Sequence, residues 1–458
     1  MLFKKSNERL QSIMDRKKMI TKKYKSSLII FFFLIGACQA SKETNSTNSI
    51  FESVSSVDEV KNQFSKLPEN DIWWTKNGRD MAWNFKNLHR IFPTVNVYRN
   101  GPVKELEKEL SHELASYKIN TPEGQVSFYD YLHSDESTAM GVVISHQGKI
   151  IFEAYPRMKA YEKPIYWSVA KILPATLIRI YEERGLIDVS LPIETYINDL
   201  NGTSFAGISI RNILDMATGL DCSDNYLTKE SCYYLYSMSI GDGFRTGLAK
   251  DNPYDFVKET NIEREIEAGT KYSYSGLNTF VLAWLVEEIT SMPFQDALSK
   301  EIWYHIGAEA DASFLAPRYG IPMTHGGFIA NMQDMIRFGM LFTPSYKVVS
   351  NKKIITDEHI DLILNGGNPK LLQNLNIPNF EESDVKHNVY QWDSVYDNDD
   401  IFKGGWAGQG LLINPTRDIV AVFTGYKKDD AHHALEMRKF LREVLNGVFK
   451  DNNRLTIN

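Results

Sequence analysis

Cysteine is scarce in this chain: among 458 residues there are three, Cys38, Cys222 and Cys232. Neither Cys-x-x-Cys nor His-Glu-x-x-His occurs, so the spacings that present zinc ligands together are missing, and no metal or other cofactor is expected. The adjacent pair His432–His433 lies at a polar helix start and reads as solvent-facing. Long apolar runs are missing too. Leu28–Ala37 is too short to cross a bilayer core of ~30 Å as a helix, which takes ~20 residues. No internal repeat is present. Positive charge is concentrated at one end, because residues 1–38 hold nine Lys/Arg against two Asp/Glu, while the remainder holds 42 basic against 56 acidic residues. So acidic a body repels phosphate backbones, and nucleic acid is excluded as an expected partner.

The basic start has a purpose. "KKYKSSLIIFFFLIGACQASKETNST" runs from positive charge through a short apolar stretch to small and polar residues, the pattern of an export signal. Its "IGAC" resembles the lipobox of bacterial lipoproteins. That resemblance implies cleavage before Cys38, lipidation of Cys38, and anchoring at the periplasmic side of a membrane, with Gln39 favouring the outer one. More than one acyl chain is needed for a lasting hold. Because such signals begin near their charges, translation is expected to start at Met14 or Met19. Residues 1–38 are thus read as signal peptide, 39–70 as a flexible polar tether and 71–458 as one folded domain. Cys222 and Cys232 remain as a pair; in an oxidising compartment they can form a disulfide worth about 2–3 kcal/mol, the alternative being two reduced thiols.

Within the folded part, 43% of residues across the whole chain being apolar allows a large core. "PVKELEKELSHELASY" (102–117) has helical spacing and predicts an amphipathic helix. "GVVISHQGKIIFEAY" (141–155) and "GLLINPTRDIVAVFTGY" (410–426) each read as a β-hairpin. The pattern between them is mostly helical, and 430–449 closes with another helical period. Strands at both ends with helices inserted between predict an α+β fold, its sheet completed late in the sequence.

In "YWSVAK" (166–171), Ser168 and Lys171 stand one turn apart at the head of an apolar helix. A serine hydroxyl needs a base, and lysine serves only where burial lowers its proton affinity. The same spacing recurs at Ser350 and Lys353 in a more polar segment read as surface, and from spacing alone Ser168 reads sooner as a helix cap than as a nucleophile. Pro174 follows closely and must either displace the helix start or tilt Lys171. "GTSFA" (202–206) approaches a Gly-x-Ser-x-Gly elbow but ends in Ala206.

The order of "MGVVISHQGKIIFEAYP", "SVAK", "RGLIDVSLPIETYI", "ISIRNILDMATGLDC", "YSYSGLNTFVLAWLVEEIT", "HGGFIANMQDMIRFGMLF" and "GGWAGQGLLINPTRDIVAVF" resembles the serine β-lactamase and penicillin-binding-protein superfamily. The nearest likeness is to class C β-lactamase-related hydrolases, and within these to 6-aminohexanoate-oligomer hydrolases and related esterases. It extends from about Trp83 to Phe449. It implies a β-lactamase-like antiparallel sheet flanked by helices with an inserted, mostly helical lobe. It also implies Ser168 as nucleophile, with Lys171 and Tyr274 as its base system, the ammonium of Lys171 lowering the Tyr274 phenol. In "KGGW" (403–406), Lys403 and Gly405 take the substrate-binding positions, and the backbone N–H groups of Ser168 and Trp406 form the oxyanion hole. Packing aromatics and a glycine-rich strand turn are the plain alternatives for Tyr274 and "KGGW". Two positions depart from the pattern: Gly276 replaces the Asn or Ser that holds a substrate amide, and Gly404 replaces a hydroxyl residue. The resulting expectation is an esterase or amidase acting on a small molecule through an acyl-enzyme. The rivals are a β-lactam or peptidoglycan-peptide hydrolase and a catalytically silent binding lipoprotein.

Overall fold

The computed structural model describes residues 78–429 and 436–449, apart from 123, 244 and 374–383, together with Ser56, Asp58 and Asn62. The export segment with Cys38, the rest of the tether, and His432–His433 lie outside the described residues.

Seven antiparallel strands form the central sheet: β1 (Ala139–His146), β2 (Lys149–Ala154), β3 (Val385–Val389), β4 (Trp392–Tyr396), β5 (Ile401–Gly405), β6 (Gln409–Asn414) and β7 (Ile419–Gly425). Their order is β2-β1-β7-β6-β5-β4-β3, so an early hairpin is joined to a late meander. The seam is β1 against β7, with Val143 opposite Val422. Around the first hairpin turn, Gln147 (φ 49°) and Gly148 (φ 79°) both take positive φ, as a twist-matched two-residue turn requires.

Both faces of this sheet are covered, and for that reason its strands read as near-continuous apolar runs. Along β7, Ile419, Ala421 and Phe423 face one apolar cluster while Val420 and Val422 face another. The helices that follow are α1 (Ile172–Glu183), α2 (Cys232–Ile240), α3 (Gly276–Thr290) and α4 (Glu436–Val448). Phe440, Leu441, Val444 and Leu445 of α4 cover the first face, spaced as one side of a helix. Burying such a side chain fully is worth about 1.5–3 kcal/mol. The helix Met332–Met340 packs on the second face, and deeper in the helical lobe every residue of α3 from Gly276 to Val286 is buried. The architecture is α+β with strands from both chain ends.

One expected helix is mostly absent. Only His112–Ser116 of the segment 102–117 is helical. Ahead of it the chain runs extended beside β2, with Glu109 N–H donating to Ile150 O at 2.9 Å and Ile150 N–H to Glu107 O at 2.8 Å. The outer edge of β2 offers unpaired backbone groups, and satisfying them outweighs a helical pattern carried by few apolar residues.

Candidate active site

Ser168 lies in a 3-10 turn, Trp167–Lys171, that runs into α1. Three residues per turn eclipse positions i and i+3, which sets Ser168 and Lys171 on one side. Because α1 proper starts at Ile172, Pro174 falls in its first turn, where the missing N–H has no partner to lose; the proline displaces the helix start. The residue before the serine is strained: Trp167 has φ 45°, a left-handed conformation bulky residues avoid. Its indole is gripped by Phe85 and Trp406, ring centroids 5.4 and 5.7 Å away.

Lys171 is completely buried. Its ammonium donates to the carbonyl of His325 at 2.9 Å and stands 3.8 Å from Asp224 Oδ2. Burial pushes its pKa down to about 8, with Lys403 adding to the effect and Asp224 opposing it. The His325 carbonyl is itself fixed, since the imidazole Nδ1 is bonded to the Tyr236 hydroxyl at 2.9 Å and Nε2 stands 3.4 Å from Asp242.

Tyr274, on the turn before α3, has its phenol close enough to Ser168 for that side chain to lower its pKa slightly. Both the Lys171 and the Lys403 ammonium stand 4.9 Å from the centroid of its ring. Two cations nonetheless do not lower the phenol. Burial, followed by the carboxylates of Asp393 and Asp224, pushes its pKa well above the ordinary range. The expectation that Lys171 lowers the Tyr274 phenol is thus not met: burial and the carboxylates that accompany the lysines raise it.

Lys403 also differs from expectation. It is fully buried; its Nζ donates to Asp393 Oδ1 at 2.5 Å and lies 3.5 Å from the Tyr274 hydroxyl. Its charge is paired with Asp393 beside the Tyr274 hydroxyl. Gly405 matters through the space it leaves, because a Cβ there would lie 2.3 Å from the Tyr166 carbonyl oxygen. The end of β5 can therefore pass against the turn that carries Ser168, which brings Trp406 beside Trp167. At Gly276 a Cβ would meet the Tyr233 hydroxyl at 2.5 Å and the His325 ring at 3.1 Å, so the room an asparagine side chain needs is already filled.

Neither Ser350 nor Ser204 is brought to this cluster. Ser350 is buried, its hydroxyl accepting from Lys352 N–H at 3.1 Å, while Lys353 pairs with Asp357. Ser204 accepts from Ile262 N–H at 2.8 Å. Cys222 and Cys232 are joined in a disulfide. Among the described residues no cluster of metal-ligating side chains occurs, and no helix is long and apolar enough to cross a membrane.

Sequence reading missed Asp393 and Asp224. A hairpin reading of 392–405 would have exposed the first, since pairing Phe402 with Ser394 sets Asp393 beside Lys403. Only the path of the loop between the cysteines reveals the second. Asp393→Asn is expected to leave Lys403 buried without a carboxylate, at a cost of about 3–5 kcal/mol in equilibrium urea unfolding. Adding Lys403→Met should recover most of that loss.

The chain is similar to several known proteins. A 6-aminohexanoate-dimer hydrolase of Paenarthrobacter ureafaciens is 23% identical over 370 residues, 80% of this chain and 90% of the relative. A solved structure from Bacillus anthracis, provisionally named for the same activity, superposes with a TM-score of 0.69 at 20% identity, covering 82% of this chain and 96% of the other. EstCE1, described as a hydrolase with promiscuous acyltransferase activity, gives a TM-score of 0.51 at 14% identity over 68% of this chain and 94% of its own. Residues 130–446 match the Beta-lactamase family, and the chain belongs to it as a hydrolase of the β-lactamase fold.

Proposed function

We propose that the protein is a serine hydrolase that cleaves an ester or amide through an acyl-enzyme, with Ser168 as nucleophile. The observation that carries this reading is geometric: Ser168 shares its 3-10 turn with buried Lys171, whose ammonium stands 4.9 Å from the centre of the Tyr274 ring and whose pKa is pushed to about 8. Neutral Lys171 is the base, and protonated Tyr274 hands the proton on. As Ser168 Oγ attacks the carbonyl, its proton passes through the phenol to the lysine. The oxyanion is received by the N–H groups of Ser168 and Trp406, donors worth ~3–4 kcal/mol each in such sites. The tetrahedral adduct expels the alcohol or amine, which takes the proton, and water releases the acyl group by the reverse relay. Lys403, held by Asp393, keeps Tyr274 in place.

Trp406, 38% exposed, with the buried Trp167 and Phe85 behind it, forms an aromatic wall beside the nucleophile and favours an apolar acyl group. The relative named for 6-aminohexanoate dimer supports a linear amide or ester as the substrate class. The filled space at Gly276 leaves no side-chain donor for the amide that penicillins carry, which disfavours β-lactams. The export signal and the Cys38 lipobox support an exported lipoprotein on the periplasmic side of a membrane, the outer one favoured.

A panel of p-nitrophenyl esters, anilides and nitrocefin on wild type beside Ser168→Ala tests the assignment. Ester turnover should fall by at least about 10³-fold in the variant, with nitrocefin poor in both. Wild-type ester rates in Ser168→Ala would sink the mechanism. Because the base is the neutral lysine, kcat/KM should rise as pH increases and level off above about 8. A flat profile from pH 6 to 9 removes Lys171 from that role. For the anchor, radiolabelled palmitate fed to an expressing bacterium should mark the wild-type chain and not Cys38→Ser.

A further inference from the structure

The loop between the two cysteines is fastened along the turn that carries Tyr274. Ser275 Oγ donates to the Cys222 carbonyl at 2.5 Å, and the hydroxyls of Ser223 and Ser273 are 2.8 Å apart. Asp224 N–H donates to the Tyr274 carbonyl at 3.2 Å. The side chain of Asp224 then reaches both sides of the site: Oδ1 accepts the N–H of Gly276, first residue of α3, at 2.6 Å, while Oδ2 stands 3.8 Å from Lys171 Nζ. One carboxylate thus ties the helix that follows Tyr274 to the lysine that follows Ser168. Where this loop ends, Cys232 opens α2 and is bonded back to Cys222, closing the ten-residue separation. The same loop lines an open cavity of about 720 Å³ in which Cys222, Asp224 and Cys232 all take part, Cys222 being buried and Cys232 half-buried.

We propose that Asp224 is the residue that positions the Lys171 and Tyr274 pair, and that the Cys222–Cys232 disulfide holds it there, so that cutting the disulfide slows the enzyme through Asp224. The inference rests on the hydrolase reading above. Cutting takes a dithiol: its two thiols become a disulfide while the protein sulfurs gain two electrons and two protons as free thiols, so the exchange balances. The freed loop then holds Asp224 only through its short-range hydrogen bonds. The groups that face Lys171 are few and come from every side: Asp224 from the loop, Tyr274 from the turn before α3, Lys403 and Asp393 from the sheet, and Asp242 with the His325 carbonyl from the helical lobe. Asp224 is the nearest carboxylate among them and opposes the effect of burial most. Removing its charge lets the ammonium shed its proton more readily.

The test uses the full-length oxidised chain with an ester substrate. Asp224→Asn should lower kcat/KM by about tenfold, the loss of one hydrogen bond from an ionised partner, and its pH profile should rise at lower pH than wild type. A merely structural role would reduce the amplitude without moving that midpoint, and an unmoved midpoint overturns the positioning role. Treating wild type with a dithiol, under conditions where circular dichroism shows it still folded, should give a comparable loss, and the same treatment should cost Asp224→Asn little more. A reduction penalty that is undiminished in Asp224→Asn overturns the link to the disulfide. Ser168→Ala separates the two readings: if it retains wild-type turnover the hydrolase assignment fails, whereas if it is inactive and Asp224→Asn keeps the wild-type midpoint only the present inference fails.

Discussion

Two lysine ammoniums are buried side by side around one tyrosine, and much of the site's geometry follows from keeping them there. A buried ammonium without a partner costs several kcal/mol, so each needs hydrogen-bond acceptors supplied by elements far apart in sequence. Lys171 has the His325 carbonyl and Asp224; Lys403 has Asp393. These partners draw the 3-10 turn, the cysteine loop, the turn before α3 and the strands β4 and β5 to one point. Tyr274 occupies the gap between the two cations.

The same arrangement divides the chemical labour. Asp393 is hydrogen-bonded to Lys403 and also accepts the Gly404 N–H at 2.9 Å, while Asp224 stands further from Lys171, at 3.8 Å. The looser contact leaves burial dominant at Lys171, whose pKa settles near the pH at which a base is useful. Burial, with both carboxylates, raises the Tyr274 phenol, which fits the proton-passing role proposed for it. Small residues complete the fit: Gly405 admits the Tyr166 carbonyl, and Gly276 admits the Tyr233 hydroxyl and the His325 ring. The second fills with internal packing the space that a larger side chain would take.

Much of the fold was legible in the sequence because apolar patterning is local. The hairpins at 141–155 and 410–426 fall where unbroken apolar runs flank a turn, and their pairing across the chain followed from having strands at both ends. The segment 102–117 was misread because its helical spacing is real; what decided it was the unpaired edge of β2, which lies elsewhere in the sequence. Pro174 marked a conflict correctly, and the structure resolved it by starting α1 later than Ser168.

By itself the sequence determined residue types and their order: a serine three ahead of a lysine, a tyrosine before a buried helix, a lysine and two glycines ending a strand. It also determined that the chain has an acidic body, a basic leading segment and a pair of cysteines. Only the tertiary structure decided which charges meet. Asp224 and Asp393 look like ordinary surface acids in a sequence rich in them, and no local pattern distinguishes them. Proton affinity depends on burial and on charges within a few ångströms, and both quantities come into being when distant segments pack.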